Sequence, residues 1–186
     1  MVWSWLFYQN MSWLRTPKKG FFVRSGEQNI CPYCNGPLKV RGSRRRKYIN
    51  GRGDTIVLVI RRLRCYHCRR LHHELPDILI PYKHYGSESI EAVVTQKGAL
   101  TVTADESTIW RWRNWFLELV DYLLGCLKSI AIRYGRESVE KDSHLPKSTL
   151  QKIWHYVGDA PGWLARIVRP VANSNLWVHT RFAFLS

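Results

Sequence analysis

Four of the five cysteines form two C-x-x-C pairs, Cys31-Pro32-Tyr33-Cys34 and Cys65-Tyr66-His67-Cys68. A C-x-x-C segment is the shortest that turns two thiolates toward one point, so two such pairs supply four sulfurs to a tetrahedral ion. Zinc accepts four thiolate ligands in closed structural sites. We therefore expect one structural Zn²⁺ held by Cys31, Cys34, Cys65 and Cys68.

Other interpretations of the cysteine pairs give different chemistry. Two disulfides need an oxidising compartment, and a single C-x-x-C can be a redox motif. Three histidines near the second pair, His67, His72 and His73, are alternative metal ligands. Two matched pairs that flank a hairpin favour the zinc site over these alternatives.

The basic residues of the chain are concentrated around the cysteine pairs. The formal net charge is +15, and residues 31–86 contain thirteen Lys and Arg but only three Asp and Glu. Repulsion among so many like charges costs stability, so this concentration indicates an anionic partner rather than an ordinary solvated face. The predicted phosphate contacts are Arg44, Arg45, Arg46, Lys47, Arg61, Arg62, Arg64, Arg69 and Arg70. Contacts of this kind position a protein on nucleic acid without specifying sequence.

A long β-hairpin is predicted between the two cysteine pairs. One arm runs from Leu38 to Ile49, and the other, from Thr55 to Leu63, is rich in β-branched residues. The residues between them, Asn50-Gly51-Arg52-Gly53, tolerate the positive φ that a hairpin turn needs. The segment is thus predicted to be a small β zinc ribbon, with Leu75–Pro81 as an extended linker.

The next segment has the pattern of a helix-turn-helix. A first helix is expected from Ser87 to Lys97, and a second, with Thr103 as its N-cap, continues to about Ile132. An apolar stripe marks the buried face of the second helix: Ile109, Trp112, Phe116, Leu119, Leu123, Cys126 and Ile130. Its opposite face near the N-terminus is predicted to read DNA bases through Thr108, Arg111, Asn114 and Trp115, with Trp110 and Arg113 flanking. The alternative is that these are ordinary exposed residues.

Two further short helices are expected near the C-terminus, from Pro146 to Val157 and from Pro161 to Val168, with Pro170 closing the second. The fold class is therefore α+β, a small β zinc ribbon followed by an all-helical helix-turn-helix region. The predicted divisions are an aromatic strand or tail over 1–29, the ribbon over 30–86, the helix-turn-helix over 87–133 and short helices over 134–186.

Several strings in the chain resemble an uncharacterised bacterial family that carries a domain of unknown function. They include Cys31-Pro32-Tyr33-Cys34, Leu71-His72-His73-Glu74-Leu75-Pro76 and Ser107-Thr108-Ile109-Trp110-Arg111-Trp112. The resemblance covers residues 22–186 and implies a zinc ribbon ahead of a transposase-like helix-turn-helix. It also implies DNA binding, at mobile-element ends, and names no activity.

The sequence thus predicts a zinc-dependent, DNA-binding protein with a transposon-associated or regulatory role. Two alternatives stay open: an RNA-binding zinc ribbon, and an adaptor that recruits a transposase or a second copy through the helical stripe. No catalytic motif is recognisable and no apolar run is long enough to span a membrane, so we expect a cytoplasmic protein that is not an enzyme.

Overall fold

The computed structural model describes residues 4–8, 11–16, 20–27, 30–95, 102–136 and 148–177. Within these ranges the chain forms six strands and four helices, which confirms the α+β class. The strands are β1 (Ser4–Tyr8), β2 (Met11–Thr16), β3 (Gly20–Ser25), β4 (Leu38–Ile49), β5 (Thr55–Cys65) and β6 (Leu71–Pro76). The helices are α1 (Ser87–Thr95), α2 (Glu106–Arg133), α3 (Thr149–Val157) and α4 (Trp163–Asn173). None of these helices is both long enough and apolar enough to cross a bilayer.

The predicted hairpin is present as β4 and β5, which pair antiparallel from Leu38 opposite Cys65 to Ile49 opposite Thr55. Its turn is closed by the side chain of Asn50, whose Oδ1 accepts hydrogen bonds from the Arg52 and Asp54 amides. The second arm continues two residues beyond the predicted Leu63, to Cys65. The hairpin therefore joins the two cysteine pairs directly.

Strand β5 is the centre of a curled sheet whose path runs β1-β6-β5-β3-β2, with β4 on the other side of β5. Strand β6 pairs antiparallel with β5 at Arg62–Arg64, and β3 pairs parallel with it at Leu58–Ile60. Strand β1 then adds to β6 in parallel. The N-terminal strands thus extend the sheet of the hairpin, satisfying edge groups that a bare hairpin would leave unpaired.

The helices cover the face of the sheet that presents Val23, Leu58 and Ile60. These residues belong to one core cluster with buried side chains from every helix, including Ile90, Trp112, Leu123, Ile153, Trp163 and Ile167. A small second cluster, Leu6, Tyr8 and Leu63, lies elsewhere on the sheet. The main cluster contains residues from all four divisions predicted from the sequence.

Helix α2 buries most of its predicted apolar stripe, but the prediction for Trp115 was wrong. Trp112, Phe116, Leu119, Leu123 and Cys126 are buried. Trp115, which the sequence pattern put on the exposed face, is only 3% exposed. The loop after β6 covers this second side of the helix, since Lys83 Nζ lies 4.6 Å from the centre of the Trp115 ring.

Three predicted helix boundaries differ from the structure. The N-cap of α2 is Asp105 rather than Thr103, because the Asp105 carboxylate accepts from the Thr108 amide. Helix α3 begins at Thr149 with Ser148 in a capping box, while Pro146 lies outside the described residues. Helix α4 continues through Pro170 to Asn173, because a proline in the last turn interrupts few backbone bonds.

Candidate metal centre and basic surface

The two cysteine pairs sit in loops of matching geometry. In each loop the first cysteine amide donates 2.9 Å to a carbonyl five residues later, Cys31 to Gly36 and Cys65 to Arg70. The residue after each second cysteine has a positive φ, 54° at Asn35 and 61° at Arg69. The Tyr66 amide also donates 3.0 Å to the Pro37 carbonyl, which ties the loops together. The sequence therefore builds two similar knuckles that face each other.

The four predicted cysteine ligands converge. The Sγ atoms of Cys31, Cys34, Cys65 and Cys68 all lie within 4.8 Å of one another. The distance from Cys31 to Cys68 is 3.5 Å and that from Cys34 to Cys65 is 3.4 Å. Metal–sulfur bonds of about 2.3 Å in a tetrahedron place sulfurs about 3.8 Å apart, whereas a disulfide requires about 2.05 Å. The arrangement fits a bound metal ion, and none of the five cysteines forms a disulfide.

Gly36 permits the close approach of the two knuckles. A Cβ atom at this position would lie 2.6 Å from His67 Nδ1 and 3.2 Å from Cys65 Sγ. The backbone of the first knuckle therefore passes against the second without room for a side chain.

The thiols differ in how easily they lose a proton. Burial raises the pKa of Cys31 to about 12 and also raises that of Cys65. The Gly36 amide, which points at the Cys34 sulfur, lowers the pKa of Cys34 to about 6. A metal ion binds all four as thiolates, so binding displaces the protons of the buried pair.

The histidines that were alternative ligands lie around the sulfurs rather than among them. His72 Nε2 is 3.4 Å from Cys31 Sγ, which is hydrogen-bonding distance for sulfur. Burial lowers the pKa values of His72 and His73 to about 4, so both rings are neutral at pH 7. His67 packs edge-on against Tyr66, with ring centres 6.0 Å apart. His72 is therefore placed to orient Cys31, as residues that hydrogen-bond the ligands of a metal ion do.

Two of the predicted phosphate contacts take part in the fold instead. The Arg46 guanidinium donates 2.7 Å to the Ile80 carbonyl and 3.1 Å to the Lys83 carbonyl. Arg61 forms an ion pair with the fully buried Glu74. Both guanidinium groups therefore anchor strands or loops and do not belong to the basic surface of the protein.

Most of the remaining predicted arginines meet in one cavity beside the second knuckle. The cavity has a volume of about 610 Å³ and is lined by Arg41, Arg62, Arg64, Cys68, Arg69, Arg70 and Leu71. We call it the arginine pocket. Arg41 was missing from the predicted contacts, although it begins the basic run of the hairpin. It enters the pocket because a β-bulge between Val40 and Gly42 shifts the register of β4 there.

Three other basic residues of β4 are spread along the strand. Arg44 pairs with Ile60 and therefore lies on the helix-covered face of the sheet, whereas Arg45 and Lys47 pair with Val59 and Val57 and face the other way. All three are exposed. Residues predicted as one basic cluster thus divide between two faces of the sheet.

The predicted DNA-reading residues occupy the first turns of α2. Arg111 folds back on this end of the helix and donates 3.0 Å to Thr108 Oγ1 and 3.2 Å to the Ser107 carbonyl. Arg113 is exposed and Asn114 is half-buried. The hairpin turn lies next to this end, since a Cβ atom on Gly53 would be 3.2 Å from the Thr103 side chain.

A comparison with protein families finds one match. A family model described as a domain of unknown function, DUF6431, matches residues 31–112. No curated protein and no solved structure matches the chain. The matched range starts at Cys31 and ends at Trp112, so it includes both knuckles, the hairpin, β6, α1 and the first turns of α2. It is shorter than the expected 22–186, and its description names neither a zinc ribbon nor a transposase. A DUF6431 domain of unknown function is therefore found over residues 31–112.

Proposed function

We propose that this protein is a zinc-stabilised, nucleic-acid-binding protein whose preferred partner is duplex DNA. The observation that carries the proposal is the arginine pocket beside the four cysteines. It places five guanidinium groups around one cavity, and no carboxylate of the described residues lines it. A phosphate backbone supplies the negative charge that this surface lacks.

Zinc is the proposed metal because a closed set of four thiolates suits it, and iron is the main competitor for such a set. The ion would hold the two knuckles together and would take no part in a reaction. Metal analysis of purified protein tests this, with one zinc per chain expected. A stoichiometric iron content would contradict the assignment.

Duplex DNA is favoured by the distance between the arginine pocket and the predicted reading residues of α2, which lie on the same side of the sheet. Asn50, in the hairpin turn, lies nine positions after Arg41, or roughly 30 Å along β4 at the usual rise per residue. The start of α2 lies beside that turn, so the pocket and α2 are separated by about one helical turn of B-DNA. One duplex can therefore meet the pocket with its backbone and α2 with its major groove.

The salt dependence of binding tests the phosphate contacts. Log affinity for duplex DNA should fall with log salt at a slope of roughly −3 or steeper, given about 0.9 per neutralised phosphate. Arg64→Gln should make the slope shallower by about 1. A shallow slope in the wild type would contradict the proposal, and tighter binding of structured RNA would favour the RNA-binding alternative.

The reading role of α2 needs a separate test. Arg111→Ala should reduce discrimination between a selected site and random DNA more than it reduces overall affinity. Arg133→Ala, an exposed change at the far end of α2, is the matched control. An equal loss on both DNAs would contradict base reading by Arg111.

We also propose binding without catalysis and a transposon-associated or regulatory setting. Two of the aspartates have structural uses, Asp105 as the N-cap of α2 and Asp54 in the hairpin turn. The biological setting rests on the transposase-like Ser107–Trp112 string. An adjacent reading frame for a catalytic transposase, or flanking inverted repeats, would support it.

A further inference from the structure

The arginine pocket gathers more positive charge in one place than contacts with a row of nucleic-acid backbone phosphates require. Among the described residues, no carboxylate pairs with Arg41, Arg64, Arg69 or Arg70. Their charges therefore repel one another around a single cavity until an anion enters it.

The pocket is assembled from three separate pieces of chain. Arg41 comes from the bulge of β4, Arg62 and Arg64 from alternate positions of β5, and Arg69 and Arg70 from the loop after Cys68. Because Arg62 and Arg64 share a face with Leu58 and Ile60, the pocket continues the core-facing side of the sheet beyond the helices.

Aromatic rings of both knuckles support the pocket wall. The Arg70 guanidinium lies 3.7 Å from the centre of the Tyr33 ring, between Cys31 and Cys34 in sequence. The Arg69 guanidinium lies 5.7 Å from the centre of the Tyr66 ring, between Cys65 and Cys68. Cation–π contacts of this kind fix the orientation of a guanidinium. The metal centre therefore also sets the shape of the pocket.

The charge of the pocket selects among phosphates. An internal phosphodiester has one negative charge and two free oxygens, and its strand continues on both sides. A terminal phosphate has a charge near −2 and three free oxygens, and its strand leaves on one side only. Arg41, Arg64, Arg69 and Arg70 are grouped around one cavity and pair with no carboxylate of the described residues. They match the greater charge and the third free oxygen of a terminal phosphate better, because arginine binds phosphate oxygens in pairs.

We propose that the arginine pocket is a specific site for the terminal phosphate of a nucleic-acid strand, held in shape by Tyr33 and Tyr66 of the two cysteine knuckles. The proposal rests on the nucleic-acid-binding function above and adds to it a preference for strand ends.

Four forms of one duplex separate this proposal from the general function. They are a duplex with 5′-phosphates, the same duplex with 5′-hydroxyls, the duplex with 3′-phosphates, and a dumbbell closed at both ends. The 3′-phosphorylated form shows which terminus is preferred. We expect about tenfold tighter binding of a phosphorylated end, the effect of one or two charge-assisted hydrogen bonds. Equal affinity for all forms would overturn the end preference and leave the general function standing. Binding of none of them would overturn both.

Matched variants locate the preference. Arg41→Gln and Arg64→Gln should abolish it, and Tyr33→Leu should weaken it, while Arg45→Gln on the other face of the sheet should retain it. Metal content and melting temperature identify any variant that fails to fold. If Arg64→Gln fails to fold, the result for Arg41→Gln decides the outcome, because Arg41 is exposed. Retention of the preference in folded Arg41→Gln and Arg64→Gln would overturn the proposal.

Inorganic pyrophosphate tests whether the pocket recognises the phosphate itself. It should displace the phosphorylated duplex at concentrations that leave the dumbbell bound. Equal displacement of both ligands at matched ionic strength would show that the pocket is an unselective part of the DNA surface, and would overturn the proposal. Tight pyrophosphate binding without any preference for phosphorylated DNA ends would also overturn the proposal, because it would assign the pocket to a small polyphosphate.

Discussion

Glu74 is a fully buried acid that joins two strands of the sheet which are distant in sequence. Its carboxylate accepts a 2.9 Å hydrogen bond from the Ser25 amide at the end of β3 and forms an ion pair with Arg61 of β5. Arg61 also donates 3.2 Å to the Ser25 carbonyl. The three residues therefore form one closed polar group in which each partner satisfies the other two.

Removing this carboxylate should destabilise the protein strongly. Glu74→Ala leaves the Arg61 charge and the Ser25 amide without a partner, so the free energy of unfolding should fall by about 3–5 kcal/mol. Urea denaturation of metal-loaded protein measures this, with the exposed Glu118→Ala as control. The double change Arg61→Met with Glu74→Leu should recover much of the loss, because no unpaired charge remains. Equal urea midpoints for Glu74→Ala and its control would refute this role.

At the scale of single residues, the sequence was informative where the signal was local. The four cysteines were predicted correctly as a cluster because each pair is a short motif with few geometries. The inward roles of Arg46 and Arg61 were not predictable, because their partners, the Ile80 carbonyl and Glu74, approach them only in the folded chain. A basic run in sequence does not reveal which of its members face solvent.

At the scale of elements, the first strand of the sheet contacts the last helix of the described residues. Asn173 of α4 accepts a 2.8 Å hydrogen bond from the Phe7 amide and donates 2.9 Å to the Phe7 carbonyl. One side chain thus takes the place of a neighbouring strand at the outer edge of β1. It protects an edge that would otherwise be open to pairing with another chain.

Loss of this contact should loosen β1 without disturbing the centre of the sheet. Asn173→Ala should lower the free energy of unfolding by about 1–3 kcal/mol, the effect of leaving buried backbone groups unsatisfied. Hydrogen exchange should become faster at Phe7 and stay slow in β5. Ser174→Ala, the next residue, is the control. Unchanged exchange at Phe7 in Asn173→Ala would show that β1 is held by other contacts.

The elements that the sequence predicted well are those specified by nearby residues. The first hairpin arm was placed correctly at Leu38–Ile49, and the long helix extends to Arg133 against an expected end near Ile132. The parallel pairs, β1 with β6 and β3 with β5, were missed, since their partners are separated by tens of residues and leave no local pattern. Trp115 was placed wrongly for a related reason: the loop that covers it belongs to a different part of the chain.

At the scale of the whole molecule, strand β5 joins the candidate metal centre to the helices. Strand β5 ends at Cys65, and its Leu58 and Ile60 lie in the same core cluster as Trp112 of α2 and Trp163 of α4. Strand β5 therefore connects the second knuckle to the helical core, and we expect a change at the knuckles to affect that core. Most of the described tryptophans belong to the helices, so they report on that core.

Metal removal tests whether the chain folds as one unit or as the four predicted divisions. Binding a structural zinc contributes roughly 10–16 kcal/mol in small sites, which equals or exceeds the usual 5–15 kcal/mol stability of a domain. We therefore expect a strong chelator to unfold the sheet and the helices together, with helical circular dichroism and tryptophan fluorescence changing in a single transition. Cys126→Ala, a change in the core away from the knuckles, should still bind one metal ion. If chelation leaves α2 helical while the knuckle thiols become fully reactive, the ribbon and the helical region are separate modules, and coupling through β5 is wrong.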